Sequence, residues 1–273
     1  MVIKMENVDN FRIKKYPRTQ HVEGSRLQPG DEDLSQIPFD KIKDKYIVIE
    51  EKVDGANTAI SFDEKGNMLL QSRGHYLIGG NRERHYNLFK TWASVHQEKL
   101  YNVLGSRYIM YGEWLYAKHT VFYDNLDHYF LEFDVFDRIN EVFLDTNERR
   151  KLLKDLPISS CKVLATGKFK SLNDVLKYLG KSNYKTENHI EILRQTCLDL
   201  NLDPNTVLKE TDNSNLMEGL YIKVEENGVV IDRMKYVRRS FCQALEESNS
   251  HWIDRPIVPN KINKDLKELL KYD

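Results

Sequence analysis

Glu51-Lys52-Val53-Asp54-Gly55-Ala56-Asn57 lies between two segments patterned as β-strands, and its reading decides the fold. Before it, Ile47-Val48-Ile49 is a short unbroken apolar run of the kind buried strands carry; after it, residues 58–62 place Ile60 and Phe62 two apart on one face. Asp63-Glu64-Lys65-Gly66 then reads as a hairpin turn into Met68-Leu69-Leu70. A lysine is therefore carried on a strand-to-strand connection, with a glycine three residues later. With 26 lysines, 21 aspartates and 13 glycines in 273 residues, Lys-x-Asp-Gly arises by chance about 0.1 times, so the tetrapeptide alone says little.

Its companions add the weight. In order, and each on an expected strand or at its end, come Ser72-Arg73-Gly74, Tyr111-Gly112-Glu113, Phe133-Asp134-Val135, Glu218-Gly219-Leu220-Tyr221-Ile222-Lys223 and Arg233-Met234-Lys235-Tyr236. Strands are expected over 108–115 and 129–136, and a hairpin over 219–224 and 229–236 turns through Asn227-Gly228. A helix is expected over about 82–104, stopped by Gly105. The block 145–202 reads as a helical insertion that opens on a capping box, Asp145 with Glu148, and is interrupted by a strand near 162–169. Residues 16–40, rich in proline and polar side chains, read as a long ordered loop whose run Lys14-Lys15-Tyr16-Pro17-Arg18 is a candidate substrate contact. Helices are expected at 240–248 and 261–271.

Composition narrows the chemistry. Lys+Arg 41 against Asp+Glu 42 leaves a net charge of −1, which excludes the global positive field of a histone-like binder, so any polyanion site is a local patch. Candidate backbone contacts are Arg82, Arg84, His85 and Lys90, and Lys235, Arg238 and Arg239. The three cysteines, Cys161, Cys197 and Cys242, form no Cys-x-x-Cys pair, which argues against a disulfide framework and a zinc knuckle. There is no P-loop, no G-x-G-x-x-G and no H-E-x-x-H. The absence of an 18-residue apolar run and of a signal-peptide core gives the expectation of a soluble, cytoplasmic chain without a membrane partner.

A lysine that attacks phosphorus must be neutral, yet at its ordinary pKa of about 10.4 only about one molecule in 2500 is neutral at pH 7. Arg233, Lys235 and a bound divalent metal are expected to lower that pKa, and the same charges would neutralise a triphosphate. Gly55 is expected to let the backbone approach the nucleotide where a Cβ would obstruct it.

The ordered set resembles the covalent nucleotidyltransferase superfamily of polynucleotide ligases and RNA capping enzymes. It is most similar to the second family of phage RNA ligases, which seal nicks in double-stranded RNA. The resemblance spans about 52–238 and implies an α+β nucleotidyltransferase fold, the ATP-grasp-like ligase adenylation fold, with antiparallel sheets around a nucleotide cleft and flanking helices. It implies an adenylation domain over 1–238, including the insertion at about 145–202, and a short helical tail over 239–273. The activity implied is that of an ATP-dependent RNA ligase. It would join 5′-phosphate and 3′-hydroxyl RNA ends, nicked duplex included, through a lysyl-AMP intermediate, as a monomer using ATP and Mg²⁺ or Mn²⁺.

The same resemblance implies the roles. Lys52 would carry the adenylyl group, Glu51 would contact adenine, and Asn57 would help to position phosphates. Arg73 and Glu113 would touch the ribose or phosphates and Phe133 would stack on the purine. Glu218 would bind the metal or its waters; Lys223 is a further basic candidate, and Lys235 with Arg233 would hold the α-phosphate. Arg233 stands where the family has lysine, which leaves open which of the two cations touches that phosphate. Phe136-Asp137 repeats Phe133-Asp134 three residues on, hence on the opposite strand face, and Phe133 is taken as the stacker. The alternatives are a DNA ligase or GTP-dependent capping enzyme, or a non-catalytic binding module. Only 38 residues follow Lys235, too few for the oligonucleotide-binding barrel of the former. The presence of the nucleophile and both glutamates argues against the latter.

Overall fold

The computed structural model describes residues 13–27, 30, 31, 33–246 and 255–271. Its strands are β1 (Gln20–Val22), β2 (Gln36–Ile37), β3 (Tyr46–Lys52), β4 (Ala56–Phe62), β5 (Met68–Ser72), β6 (Tyr108–Trp114), β7 (Phe130–Asp137), β8 (Val142–Leu144), β9 (Ser159–Ser160), β10 (Val163–Lys168), β11 (Gly219–Glu226) and β12 (Val229–Val237). The helices are α1 (Asn87–Val95), α2 (Gln97–Leu104), α3 (Thr146–Leu153), α4 (Leu172–Leu176), α5 (His189–Asp199), α6 (Pro204–Lys209), α7 (Arg239–Glu246) and α8 (Leu266–Leu269). None among the described residues is long and apolar enough to cross a membrane.

The strands form a mixed, mainly antiparallel sheet in the order β10-β3-β11-β12-β8-β7-β6-β4-β5, with the helices flanking it. Two hydrophobic cores divide this sheet into wings. In the first wing, β3 turns Ile47 and Ile49 inward to meet Leu220 and Ile222 of β11 and Met234 of β12, over Phe39 and Val175. Period-2 alternation sends Val48, Glu50 and Lys52 to the other face. In the second, β4, β6 and β7 pack on α1 and α2, where Phe89 lies between Trp114 and Phe130 at ring-centroid distances of 5.1 and 5.6 Å. Lys52 ends a strand of the first wing and Ala56 begins one of the second, so Val53-Asp54-Gly55 bridges them. The cleft opens at this bridge.

Local chemistry sets the ends of the elements. Asn227 (φ 52°) and Gly228 (φ 83°) make the left-handed hairpin turn between β11 and β12. The Asp145 side chain accepts the Glu148 amide at 2.8 Å and starts α3. The expected helix over 82–104 is instead a 3₁₀ turn (Asn81–Tyr86) followed by two helices that break at His96. The buried His96 ring donates to the Leu269 carbonyl at 2.8 Å, a long-range contact that no local periodicity encodes. The loop expected over 16–40 contains β1, which adds parallel to β12, and β2, which adds parallel to β1; strands of three and two residues carry no readable period. Within the block 145–202 the strand expected near 162–169 is β10, the edge strand beside β3, with Lys168 opposite Tyr46; the unexpected element is β9, which pairs with β7. The expected helix at 240–248 is α7, and positions 247 and 248 lie outside the described residues. Of 261–271, only Leu266–Leu269 is helical.

Gly219 pairs with Val237 in the β11–β12 ladder, and a Cβ there would fall 2.0 Å from the Tyr236 carbonyl oxygen. Because the obstruction is backbone, it cannot rotate away. Gly219→Ala is expected to destabilise the fold by about 1–3 kcal/mol, measured as a lowered urea midpoint at unchanged slope.

Candidate active site

Strand register assembles the site. Gly219 lies directly opposite Lys52 in the β3–β11 ladder, so Glu218 arrives beside the lysine and accepts from its Nζ at 2.6 Å. Asn57 on β4 faces Glu113 on β6. Lys235 on β12 lies opposite Tyr221 on one side and His21 of β1 on the other. Lys52, Asn57, Glu113, Glu218, Tyr221 and Lys235 border a cavity of about 650 Å³, together with Asp54, Gly55, Arg73 and Phe133. That volume is ordinary for a small-molecule or cofactor site.

The electrostatics revise one expectation. Burial pushes the Lys52 pKa down, but the Glu218 carboxylate, with Glu113 and Asp54 behind it, outweighs burial and leaves it above the ordinary lysine value. In the empty cleft Lys52 is thus held as an ammonium rather than poised as a neutral amine, because a carboxylate at contact distance acts more strongly than cations farther off. Burial raises the Glu218 carboxyl, against the opposing pull of Lys52. Burial also lifts Glu113 to about 7 despite Lys52 and Arg73. Lys235 moves the other way, lowered first by burial and then by the charge of Lys52.

The expected residues fall into two layers. Lys52, Gly55, Asn57, Arg73, Glu113, Phe133, Glu218 and Lys235 border the cavity. Glu51 borders it too, but its carboxylate is engaged elsewhere, accepting from Ser182 Oγ (2.5 Å) and from the amide and side chain of Asn183 (2.9 and 2.7 Å). Lys223 lies beneath Phe133, donating to the Phe133 carbonyl and pairing with Glu50 (2.9 Å) and Asp134 (3.2 Å). Arg233 is also underneath, its guanidinium 4.0 Å from the Phe143 ring centroid and 3.8 Å from Asp134. Of the two cations in Arg233-Met234-Lys235, it is therefore Lys235 that faces the cavity. Phe133 borders the cavity edge-to-face with Tyr16 (5.1 Å), but Phe136, 5.0 Å from Phe143, packs in the same aromatic cluster: the β6–β7 ladder shifts register at Phe133, so the two rings do not take the opposite faces that alternation predicts. A Cβ on Gly55 would meet Leu115 at 2.6 Å and the Trp114 carbonyl at 2.8 Å, so the chain's own packing requires this glycine.

Of the amino-terminal run, Tyr16 and Arg18 reach the cavity. Two further wall residues, Thr19 and Asp31, carry no sequence signal, since an aspartate among turn residues reads as solvated. Asp31 pairs with Lys235 and with Arg18 (3.2 Å). Burial would raise its carboxyl, but Lys235, His21 and Arg18 together hold it down at about 2. The other expected backbone contacts are mostly engaged internally. Arg84 donates to the Arg255 carbonyl (3.1 Å), His85 is buried, Lys90 pairs with Glu83 and Arg238 with Asp212; Arg239 is exposed, and the side chain of Arg82 lies outside the described residues.

A divalent ion finds hard oxygen donors here. Glu218 and Glu113 bracket Lys52, and Asn57 Oδ1 is a buried acceptor without a hydrogen-bond partner among the described residues. No group of three His, Cys, Asp or Glu side chains stands ready to hold an ion among those residues. This donor set fits a Mg²⁺-like ion bound through one or two carboxylates with the remainder from phosphates and water.

Fold and site together define a nucleotidyltransferase-type ligase domain. A family model for RNA ligase matches residues 45–237, and the chain belongs to that family. Structures of Naegleria gruberi RNA ligase share the fold. A lysine variant with ATP and Mn superposes with a TM-score of 0.53 at 14% identity, and a second lysine variant with AMP and Mn at 0.54 and 14%. The enzyme with pyrophosphate superposes at 0.52 and 16%. In all three the match covers 86% of this chain but only 59% of the other, so the chain spans about three fifths of their length. No curated protein matches the sequence.

Glu113, with its raised pKa, contributes stability that is fully present below its unfolded value near 4.5 and is lost as pH rises through about 7. Glu113→Gln should therefore melt several degrees above the wild type at pH 8 without nucleotide or metal, and level with it near pH 4. Equal gains at both pH values would contradict the assigned burial.

Proposed function

We propose that the chain is an ATP-dependent RNA ligase that joins 5′-phosphate and 3′-hydroxyl RNA ends, nicked duplex among them, through an adenylyl group carried on Lys52. The observation that carries this reading is a lysine at the end of β3 that borders a nucleotide-sized cleft, with Glu218 at 2.6 Å and Lys235 lining the same cleft from β12. ATP and Mn were bound in the Naegleria enzyme of the same fold, which supports the nucleotide and the metal. Residues 1–238 form the adenylation unit in this reading and 239–273 a short tail.

Phe133 offers its ring to the adenine, and Lys235 neutralises the α-phosphate once Asp31 gives way. Glu218, with Glu113 and Asn57, would hold a divalent ion. That ion supplies charge neutralisation at the phosphates. Lys52 would react only once the Glu218 carboxylate has left its Nζ, because that contact keeps it an ammonium. Burial and Lys235 then favour the neutral amine, and the proton passes to solvent. The Nζ lone pair attacks the α-phosphorus, a P–N bond forms as Nζ gives up a further proton to solvent, the bond to the β-phosphate oxygen breaks and pyrophosphate departs. A 5′-phosphate oxygen of RNA next attacks the same phosphorus; the P–N bond breaks and Lys52 recovers its proton. Finally the 3′-hydroxyl attacks the activated 5′-phosphorus, giving up its proton as the phosphodiester forms and AMP leaves.

Incubation with α-phosphate-labelled ATP, and separately GTP, in Mg²⁺ or Mn²⁺ tests the reading. ATP alone should leave an acid-labile label on the protein, and Lys52→Ala should abolish it with the fold intact. Lys235→Ala should slow labelling by about 10²–10³-fold and Arg233→Ala by less, since Arg233 stands beneath the cleft. Label retained in Lys52→Ala, or label from GTP alone, would refute the proposal.

A further inference from the structure

Away from the cleft, uncompensated charge collects at the far end of β3. The 3₁₀ turn Phe39–Lys41 and the residues after it present Lys41, Lys43 and Lys45 to solvent. Lys168 stands opposite Tyr46 in the β10–β3 ladder. The Asp44 amide donates to the Phe169 carbonyl at 3.2 Å, which brings Lys168 and Lys170 onto the same surface. All five lysines are exposed, and none has an ion-pair partner among the described residues. Two exposed rings accompany them: Tyr46 (42% accessible) and Tyr178 (39%), which stands edge-on to Phe169 at 6.1 Å. The neighbouring acids are Asp40 and Asp44, which are exposed, and Asp174, which is tied to Lys177 at 2.7 Å. In a chain of net charge −1 this concentration is local.

We infer that this patch is a second RNA contact, holding the backbone of the strand that flanks the end being joined; the inference rests on the ligase reading above. Unpaired ammonium groups bind phosphates as point charges, and exposed rings accept bases splayed from a strand. Tyr46 and Lys52 are six strand residues apart, about 20 Å at the usual rise. At the A-form rise of about 2.8 Å per base pair, the patch reaches nucleotides roughly seven steps from the reacting end. The surface thus measures the length of the flank, and a shorter end can occupy the cleft without touching it.

The test is the triple variant Lys43→Glu/Lys45→Glu/Lys168→Glu beside the triple Lys→Arg control. Anisotropy reads their binding to nicked RNA duplexes of roughly 24 and roughly 8 base pairs across a salt series. For the long duplex the Glu variant should lose at least about tenfold in affinity near 0.1 M salt. Its slope of log affinity against log salt should shrink by about 2–3, at about 0.9 per lost phosphate contact. The short duplex should bind all proteins alike, and the Arg variant should match the wild type. Labelling of Lys52 by ATP, which needs no RNA, should be equal in all three. Equal loss on both duplexes, or an unchanged salt slope, would overturn the inference. Loss of binding to anionic phospholipid vesicles with RNA binding intact would also overturn it, assigning the patch to a lipid surface. If the wild type takes no label from ATP, the ligase reading fails, while the comparison of duplexes still reports on the patch.

Discussion

Lys52 and Glu218 meet because two antiparallel strands are in one register and no other. A slip of one residue between β3 and β11 would send every side chain of the strand to the opposite face, putting Glu51 where Lys52 now stands. The register is held by the apolar pairs behind it, Ile49 against Ile222 and Ile47 against Val224, within a buried apolar core. The contact at the cleft floor is therefore a consequence of burial elsewhere. It sets the resting charge of Lys52, and in the proposed mechanism Glu218 must leave before the amine can react.

Below the floor lies a second set of charges: Glu50, Glu132, Asp134, Arg149 and Lys223 are all buried. Arg149 bonds Glu50 at 2.6 Å and approaches Glu132 at 3.3 Å, while Lys223 joins Glu50 to Asp134 and to the carbonyl of Phe133. Losing one partner of such a set leaves a charge without compensation in a medium that cannot solvate it, at a cost of about 3–5 kcal/mol. Lys223 and Arg233, expected at the nucleotide, work from this layer. They fix β7, β11 and β12 against one another and thereby the Phe133 ring above them. Tyr16 seals the arrangement from the amino-terminal side, donating to Asp134 and sharing a hydrogen bond of 2.7 Å with Tyr221.

Much of this was legible in the residues. An unbroken apolar run located β3, Ile60 and Phe62 two apart located β4, and Asn227-Gly228 located the hairpin of β11 and β12, because those signals are local. The motif order placed Lys52, Glu113 and Glu218 in one cleft. Depth was not legible. Arg233 and Lys235 are two apart and share a face, so alternation cannot separate them; what does is register, Arg233 facing Lys223 and Lys235 facing Tyr221, nearer Glu218. The direction of the Lys52 shift depended on a single 2.6 Å contact across 166 residues of chain, and Asp31 reaches Lys235 across 204. The lysine patch was equally hidden, since residues 41–45 and 168–170 meet only when β10 joins β3. The basic clusters singled out in the sequence are mostly engaged internally, and the unpaired lysines lie in two short runs far apart in the chain.

The central claim is that Glu218 holds Lys52 as an ammonium until a cation claims the carboxylate. Its most direct measurement is the NMR titration of Lys52 in protein carrying ¹³Cε-lysine, assigned by comparison with Lys52→Arg. The spectra would be taken without ligand and then with Mg²⁺ and an ATP analogue that cannot be cleaved between its α- and β-phosphates. The account predicts a Lys52 pKa above the ordinary lysine value in the empty protein and below it in the loaded one. A value already depressed in the empty protein, or one that does not move on loading, would contradict it.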